Sequence, residues 1–289
     1  MHENSDNRYI RALFAELRRL GHIEGKNLKI ERYGRETTDV RSKATIAAIV
    51  DSKPDIIFVV GVGAVFMQAT NRIPIVAFSF DPIREGLVKS LARPGGNITG
   101  VSFNPEVPIH GKRIALLREM FPSLRKLAFL ATRGQLNDRW PEVRVAADEQ
   151  GIELAGCAVD IPSSDAVYRD AISKVQADGA NAIMVALDAD PLVNHVLVAK
   201  LIGAAGLPAI YPFTEFVVAG GLMGYATDLV ELNKRMAGDI DAILNGTNPR
   251  DIPFYQPTKF ELSINLKAAK ALSLTVPATL LASADAVIE

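Results

Sequence analysis

Short runs of β-branched apolar residues alternate with longer amphipathic stretches along almost the whole chain, and this alternation constrains the fold most. The run Ile56–Val60 is apolar at every position, which is typical of a parallel strand covered by helices on both faces. Such an alternation predicts βαβ units and parallel sheets. The predicted strands are Leu28–Tyr33, Ile56–Val60, Ile75–Phe80, Ile98–Phe103, Leu127–Ala131, Ile152–Val159, Ala182–Leu187, Ala209–Tyr211, Leu222–Tyr225 and Phe260–Ile264. The predicted helices are Ile10–Leu20, Val40–Asp51, Gly111–Met120, Arg139–Gln150, Ala166–Ala177, Pro191–Ala205 and Leu229–Leu244.

Length and composition indicate two lobes and exclude one class of partner. The chain has 289 residues, of which 48 % are hydrophobic, so two α/β lobes can each bury a core. The formal net charge is -1, which argues against a surface built to neutralise nucleic-acid phosphates. We therefore predict no nucleic-acid partner.

Motifs for catalysis and for metal binding are missing from the sequence. The four histidines, His2, His22, His110 and His195, do not stand at metal-ligand spacing. A single cysteine, Cys157, provides neither a disulfide nor a zinc pair. The sequence accordingly predicts a protein that is not an enzyme and holds no metal and no cofactor.

A glycine-rich turn after the strand Ile56–Val60 offers one alternative. In the segment Gly61–Phe66, Phe66 stands where a dinucleotide fingerprint has its third glycine, and Asp81 follows at a distance that suits a ribose. A nucleotide-dependent enzyme is therefore one alternative. The simpler interpretation is that the glycines turn the chain into a helix whose free N–H groups can meet any anion.

Candidate binding residues follow the carboxyl ends of the strands, where open α/β sheets bind ligands. In each half of the chain, polar, aromatic or glycine residues follow a predicted strand. These positions can equally be solvated loops, and the segment Asp188–Pro191 is also an ordinary helix start. The candidates are Gly61, Gly63, Ala64, Ser79, Asp81, Thr132, Asp188, Asp190, Tyr211, Phe213 and Glu215.

Several segments resemble one protein family, in the same order and across nearly the whole chain. The most specific are the Gly86–Gly100 segment, with its Arg-Pro-Gly-Gly-Asn turn, and the Ala219–Tyr225 segment, with its Gly-Gly-Leu-Met motif. Further matching segments are Phe14–Gly21, Glu24–Leu28, Lys53–Ile57, Ile73–Val76, Tyr211–Phe213 and Gln256–Lys267. On these segments the chain resembles the ABC-transporter substrate-binding proteins related to the tryptophan-binding TrpX group.

The resemblance implies a type I periplasmic-binding fold, with two doubly wound lobes, three chain crossings and a ligand cleft between the lobes. The boundaries that follow are residues 1–104 plus 224–248 for one lobe and 105–223 plus 249–289 for the other. The implied ligand is a small molecule such as an aromatic amino acid, and the implied partners are a membrane permease and its ATPase. A ligand-sensing regulatory lobe of the same fold is the second alternative.

An amino acid ligand suggests roles for some of the candidate residues. We expect the free N–H groups near Gly63 and Ala64 to face an anionic group of the ligand. Asp188 or Asp190 could pair with a ligand cation, while Tyr211 and Phe213 could supply apolar contact.

The start of the chain departs from the family pattern. No strand precedes the helix pattern Ile10–Leu20, so we expect the first strand of the first lobe to be missing. That strand would lie between Leu28–Tyr33 and Ile56–Val60. The polar residues Met1–Tyr9 do not form an export signal. The resemblance implies a periplasmic protein, whereas the chain as written would stay in the cytoplasm.

Overall fold

The structure is a computed structural model that describes residues 8–33, 42–61, 63–102 and 109–289. Helices and strands alternate along these residues, which confirms the predicted α/β class. The helices are α1 Arg8–Arg19, α2 Lys43–Asp51, α3 Gly63–Ala69, α4 Ile109–Met120, α5 Arg133–Asp148, α6 Asp165–Ala177, α7 Ala189–Val193, α8 His195–Ala204, α9 Thr214–Val218, α10 Leu229–Leu244, α11 Leu266–Ala271 and α12 Ala278–Ser283, with a 3-10 turn at Pro249–Asp251. The strands are β1 Ile57–Val60, β2 Ile75–Ser79, β3 Ile98–Ser102, β4 Lys126–Thr132, β5 Glu153–Val159, β6 Ala182–Val185, β7 Ala209–Tyr211, β8 Met223–Thr227, β9 Phe260–Asn265 and β10 Ala286–Ile288.

The chain divides into two compact units. The first consists of Met1–Glu106 and Thr227–Lys259, and the second of Val107–Ala226 and Phe260–Glu289. The boundaries implied by the resemblance place residues 224–226 in the first lobe, whereas the structure groups them with the second unit. They also place residues 249–259 in the second lobe, whereas the structure groups them with the first unit. The reason is local pairing, because Tyr255 forms a parallel bridge with Val101 and Thr99 donates its hydroxyl to the carbonyl of Ile252 at 2.7 Å.

The first unit is built on a parallel sheet in the order β1-β2-β3. Helix α10 packs on α1 and on the strands β2 and β3. Its buried residues Leu232, Met236 and Ile240 recur every four positions and form one apolar stripe. Asp228 begins this helix by accepting hydrogen bonds from the N–H groups of Val230 and Glu231.

The Arg-Pro-Gly-Gly-Asn turn fixes the start of β3. Gly95 has a φ of +74°, a conformation that favours glycine. The side-chain amide of Asn97 then donates to the carbonyl groups of Thr70 and Ile73, at 3.0 and 2.8 Å. These bonds tie the start of β3 to the loop that precedes β2.

The second unit holds a sheet in the order β10-β9-β8-β7-β6-β4-β5. The strand pairs β7-β8, β6-β7, β4-β6 and β4-β5 are all parallel. Buried residues such as Leu117 on α4, Phe129 on β4 and Met184 on β6 belong to its apolar core. Each unit therefore buries a core of its own, and the first is built around Ile75 and Ile98.

Three sequence predictions of secondary structure were wrong. Leu28–Tyr33 is not a strand, because among the described residues its backbone has one bridge partner, Glu24, and forms no ladder. The helix predicted over Arg139–Gln150 begins six residues earlier, since α5 starts at Arg133 and continues through Pro141. The predicted helix Pro191–Ala205 is interrupted at Asn194, which separates α7 from α8. Residues Val40 and Phe103, at the ends of two other predictions, lie outside the described residues.

Candidate functional site

Two candidate residues meet at the carboxyl edge of the second sheet. Thr132 ends β4 and Asp188 follows β6, and these strands are neighbours in the sheet. The backbone N–H and the hydroxyl of Thr132 both donate to Oδ2 of Asp188, at 2.9 and 2.6 Å. Asp188 also begins α7 as its N-cap. Its carboxylate is thus held in a fixed orientation at the edge of the sheet.

Asp190 is held by a residue that the sequence did not single out. The buried Tyr168 of α6 donates its hydroxyl to Oδ1 of Asp190 at 2.6 Å. Burial and this hydrogen bond both raise the pKa of Tyr168. The side-chain amide of Asn194 donates to the Asp190 carbonyl at 3.0 Å. A tyrosine on the buried face of a helix needs a hydrogen-bond partner for its hydroxyl. The position of Tyr168 within the predicted helix was therefore the only indication of this contact that the sequence offered.

The aromatic candidates of the second unit are packed inside it. Tyr211 is 1 % exposed and its ring stacks on that of Phe216 at a centroid distance of 5.1 Å. Phe213 is buried and precedes the short helix α9, whose first turn contains Glu215. In this structure Tyr211 and Phe213 therefore contribute to the core beneath the edge, while Glu215 is partly exposed.

The glycine turn of the first unit is explained by packing. Gly61 has a φ of +70°, and its N–H donates to the carbonyl of Phe78. A side chain at Gly63 would lie 3.2 Å from Leu87 and 3.3 Å from Ile98. Ala64 follows on α3 and packs partly buried against the core of this unit. Close packing thus accounts for a glycine at Gly63 without a nucleotide.

Ser79 and Asp81 belong to a loop organised by Glu85. The Glu85 carboxylate accepts the hydroxyl of Ser79 at 2.9 Å and the backbone N–H groups of Phe80 and Asp81 at 3.0 and 3.1 Å. Asp81 in turn accepts from the N–H groups of the two residues that follow Pro82. The sequence carried no signal for Glu85, because its partners are set by the loop conformation.

The described residues contain no group of three or more His, Cys, Asp and Glu side chains that could hold a metal ion. Cys157 is buried, and burial raises the pKa of its thiol to about 12, so it remains protonated at neutral pH. No helix in the described ranges is long and apolar enough to cross a membrane.

Comparison with known proteins gives a consistent result over nearly the full length. Residues 4–288 match the model of a family described as ABC transporter substrate binding protein. A relative from Clostridioides difficile (strain R20291), named a tyrosine-binding protein, is 24 % identical over 259 residues, which cover 88 % of this chain and 73 % of the relative.

Solved structures with a similar fold include two with high TM-scores. A conserved domain protein from Vibrio cholerae has a TM-score of 0.83 at 23 % identity, with 96 % of this chain and 93 % of that chain covered. An ABC domain from Streptococcus pneumonia, solved in complex with L-Trp, has a TM-score of 0.81 at 21 % identity, with 98 % and 96 % covered. These likenesses confirm the periplasmic-binding type of fold.

Proposed function

Because this chain belongs to the ABC transporter substrate-binding protein family, we propose that it binds an aromatic amino acid and delivers it to a membrane permease driven by an ATPase. In this role it acts on the outer side of the cytoplasmic membrane, as members of the family typically do. It captures its ligand by reversible binding and performs no chemical step on it.

The observation that carries the ligand class is the similarity to the tyrosine-binding protein. That similarity extends over 88 % of this chain within one family. The complex of a structural neighbour with L-Trp supports the same class of ligand. The regulatory alternative has less support, because the LacI family regulator with a similar fold has a TM-score of 0.62 at 13 % identity, below the TM-score of 0.81 of the ABC domain solved with L-Trp.

The carboxyl edge of the second sheet supplies a group that suits the ammonium of an amino acid. Asp188 accepts two hydrogen bonds from Thr132 on Oδ2 and one from the backbone N–H of Asp190 on Oδ1. A carboxylate has about four acceptor positions, so Asp188 retains capacity for a ligand cation. Its orientation is fixed before binding, which reduces the entropy lost when the ion pair forms. The partly exposed candidates of the same unit, Asp190 and Glu215, are proposed as secondary contacts.

The ligand class is tested by binding measurements on the purified full chain. We would titrate it calorimetrically with L-tyrosine, L-tryptophan and L-phenylalanine, with glycine, D-ribose and NADH as comparison ligands, and record thermal melts in parallel. At a ligand concentration of 100 times Kd, mass action stabilises the fold by about 2.7 kcal/mol. We expect the aromatic amino acids to raise the melting temperature. A shift with ribose or NADH alone would contradict the proposal.

The role of Asp188 is tested by Asp188→Asn. This change keeps the size of the side chain but removes the charge and replaces one acceptor oxygen with an NH2 donor. We expect it to weaken binding of the amino acid by about tenfold or more, because a charge-assisted bond to the ammonium is lost. Asp170→Asn is the control, since Asp170 is exposed and pairs with Lys174 on α6. Equal affinities of the two variants would remove Asp188 from the site.

A further inference from the structure

Helix α4 carries a buried positive charge that the proposed ammonium contact does not use. Arg113 is 1 % exposed. Its Nε donates to the backbone carbonyl of Tyr225 at 2.8 Å. Within the described residues its two terminal nitrogens, Nη1 and Nη2, are buried and have no hydrogen-bond partner. The guanidinium therefore presents the pair of nitrogens that normally grips a carboxylate.

A second buried nitrogen lies one helical turn away. His110 has a buried Nδ1 that also has no partner in the described part of the chain. Its ring packs edge-on against Phe129 at a centroid distance of 5.9 Å. Burial, followed by the charges of Arg113 and Arg139, lowers the pKa of His110 to about 3, so the ring is neutral at physiological pH. Nδ1 can still donate a hydrogen bond if the proton is on that nitrogen.

The buried pair formed by Arg113 and His110 carries a positive charge that no neighbouring group balances among the described residues. Burial lowers the pKa of Arg113 only to about 10, so the guanidinium stays charged at neutral pH. A buried charge without a counter-ion is strongly destabilising, and buried donors without acceptors add to that cost. The partner that would relieve both costs is an anion with two acceptor oxygens. A carboxylate fits this requirement, and its ion pair would form away from water, where it is strong.

We propose that Arg113, assisted by His110, binds the carboxylate of the ligand. This inference rests on the proposed function, because it assigns the second charged group of an amino acid ligand. Both guanidinium nitrogens are enclosed, so side chains around the start of α4 have to shift when the carboxylate enters.

The partly buried rings of Tyr225 and Phe260 suit an aromatic ligand. Tyr225, whose carbonyl accepts from Arg113, stacks its own ring on that of Phe260 at 5.4 Å and 9° between planes. Flat aromatic surfaces of this kind accept a further ring by stacking or edge contact.

The experiment compares acids with their uncharged amides. We would titrate the full chain with L-tryptophan, L-tryptophanamide and indole-3-acetate, and repeat the titrations with Arg113→Gln and Arg113→Lys. Lys112→Gln is the control, because it removes a positive charge from the exposed neighbouring position. Circular dichroism would establish that each variant is folded.

We expect the wild type and Lys112→Gln to bind L-tryptophan at least tenfold more tightly than its amide. Arg113→Gln should reduce this ratio to about one by weakening only the acid. Arg113→Lys should restore part of the preference, because it keeps the charge but loses the paired nitrogens. If the glutamine variant does not fold, the lysine variant and the wild-type ratio still decide the question.

Failure of this inference differs from failure of the proposed function. Tight binding of L-tryptophan with an unchanged acid-to-amide ratio in folded Arg113→Gln would overturn the carboxylate site and leave the amino acid function standing. Binding of indole-3-acetate but not of amino acids, lost in Arg113→Gln, would keep the carboxylate site and refute the amino acid ligand. If the wild type binds neither L-tryptophan nor indole-3-acetate, the carboxylate site is refuted together with the aromatic amino acid ligand.

Discussion

Asp239 is a carboxylate buried inside the first unit, on helix α10. It is 2 % exposed, and its Oδ1 lies 3.3 Å from Nε of Arg235. Its Oδ2 is buried without a hydrogen-bond partner in the described residues. Burial raises the pKa of Asp239 to about 7, although the charge of Arg235 acts in the opposite direction. The folded protein therefore keeps this proton at pH values where the unfolded chain has lost it.

The sign of the resulting pH dependence follows from linkage. Between about pH 4 and pH 7 the folded state binds more protons at this site than the unfolded state, so the free energy of unfolding falls as the pH rises. The limiting slope is about 1.4 kcal/mol per pH unit. Asp239→Asn should remove this fall and leave the variant more stable than the wild type at pH 8. Urea unfolding of both proteins from pH 4 to pH 8 checks this.

The control for this prediction is Asp55→Asn, because Asp55 is an exposed carboxylate in the same unit. Its stability profile should follow that of the wild type. A profile of Asp239→Asn that runs parallel to the wild type over the whole range would show that Asp239 does not titrate as proposed.

At the scale of elements, the pairing of β2 with β3 depends on one glycine. Gly100 lies opposite Ala77 in the parallel ladder and has a φ of +142°. A Cβ atom at this position would lie 2.0 Å from the carbonyl oxygen of Ala77. That distance is incompatible with any side chain, so the two strands approach closely only because residue 100 is glycine.

Gly100→Ala is therefore expected to destabilise the first unit by at least about 3 kcal/mol, through backbone strain and displacement of β3. The measurement is chemical denaturation followed by circular dichroism. Gly96→Ala serves as the matched change, because no atom lies within 4 Å of its added methyl group. Similar stabilities of the two variants would show that β3 adjusts without cost.

At the scale of the whole molecule, the two units have separate apolar cores. The core of the second unit contains the fully buried Leu117 and Phe129, and the core of the first contains Ile75 and Ile98. The stability of each unit therefore depends first on its own apolar residues.

Leu117→Ala should cost about 2–5 kcal/mol, because it removes buried methyl groups and leaves a cavity. Amide hydrogen exchange measured by mass spectrometry should show lost protection mainly in residues 107–226 and 260–289. Val145→Ala, an exposed change on α5 of the same unit, should alter protection little. Equal losses in both units after Leu117→Ala would mean that the two cores unfold as one.

The sequence alone determined the α/β class, the parallel sheets and the family, because apolar periodicity and turn motifs are local properties of the chain. The apolar runs Ile56–Val60 and Ile75–Phe80 are typical of parallel strands that helices cover. The turn at Arg93–Asn97 likewise depends on a glycine with positive φ and an asparagine side chain. That Thr132 and Asp188 both lie at a carboxyl edge also follows from the sequence, because each comes directly after a predicted parallel strand.

Only the tertiary structure decided which segments pair and which polar groups meet. Leu28–Tyr33 has a strand-like composition, but the part of the chain that the structure describes places no strand beside it, and a strand needs hydrogen bonds from a neighbour. Thr132 and Asp188 are 56 residues apart in the chain, and Arg113 and Tyr225 are 112 apart. Contacts over such distances depend on the packing of several elements, so no local pattern could identify the buried charge of Arg113.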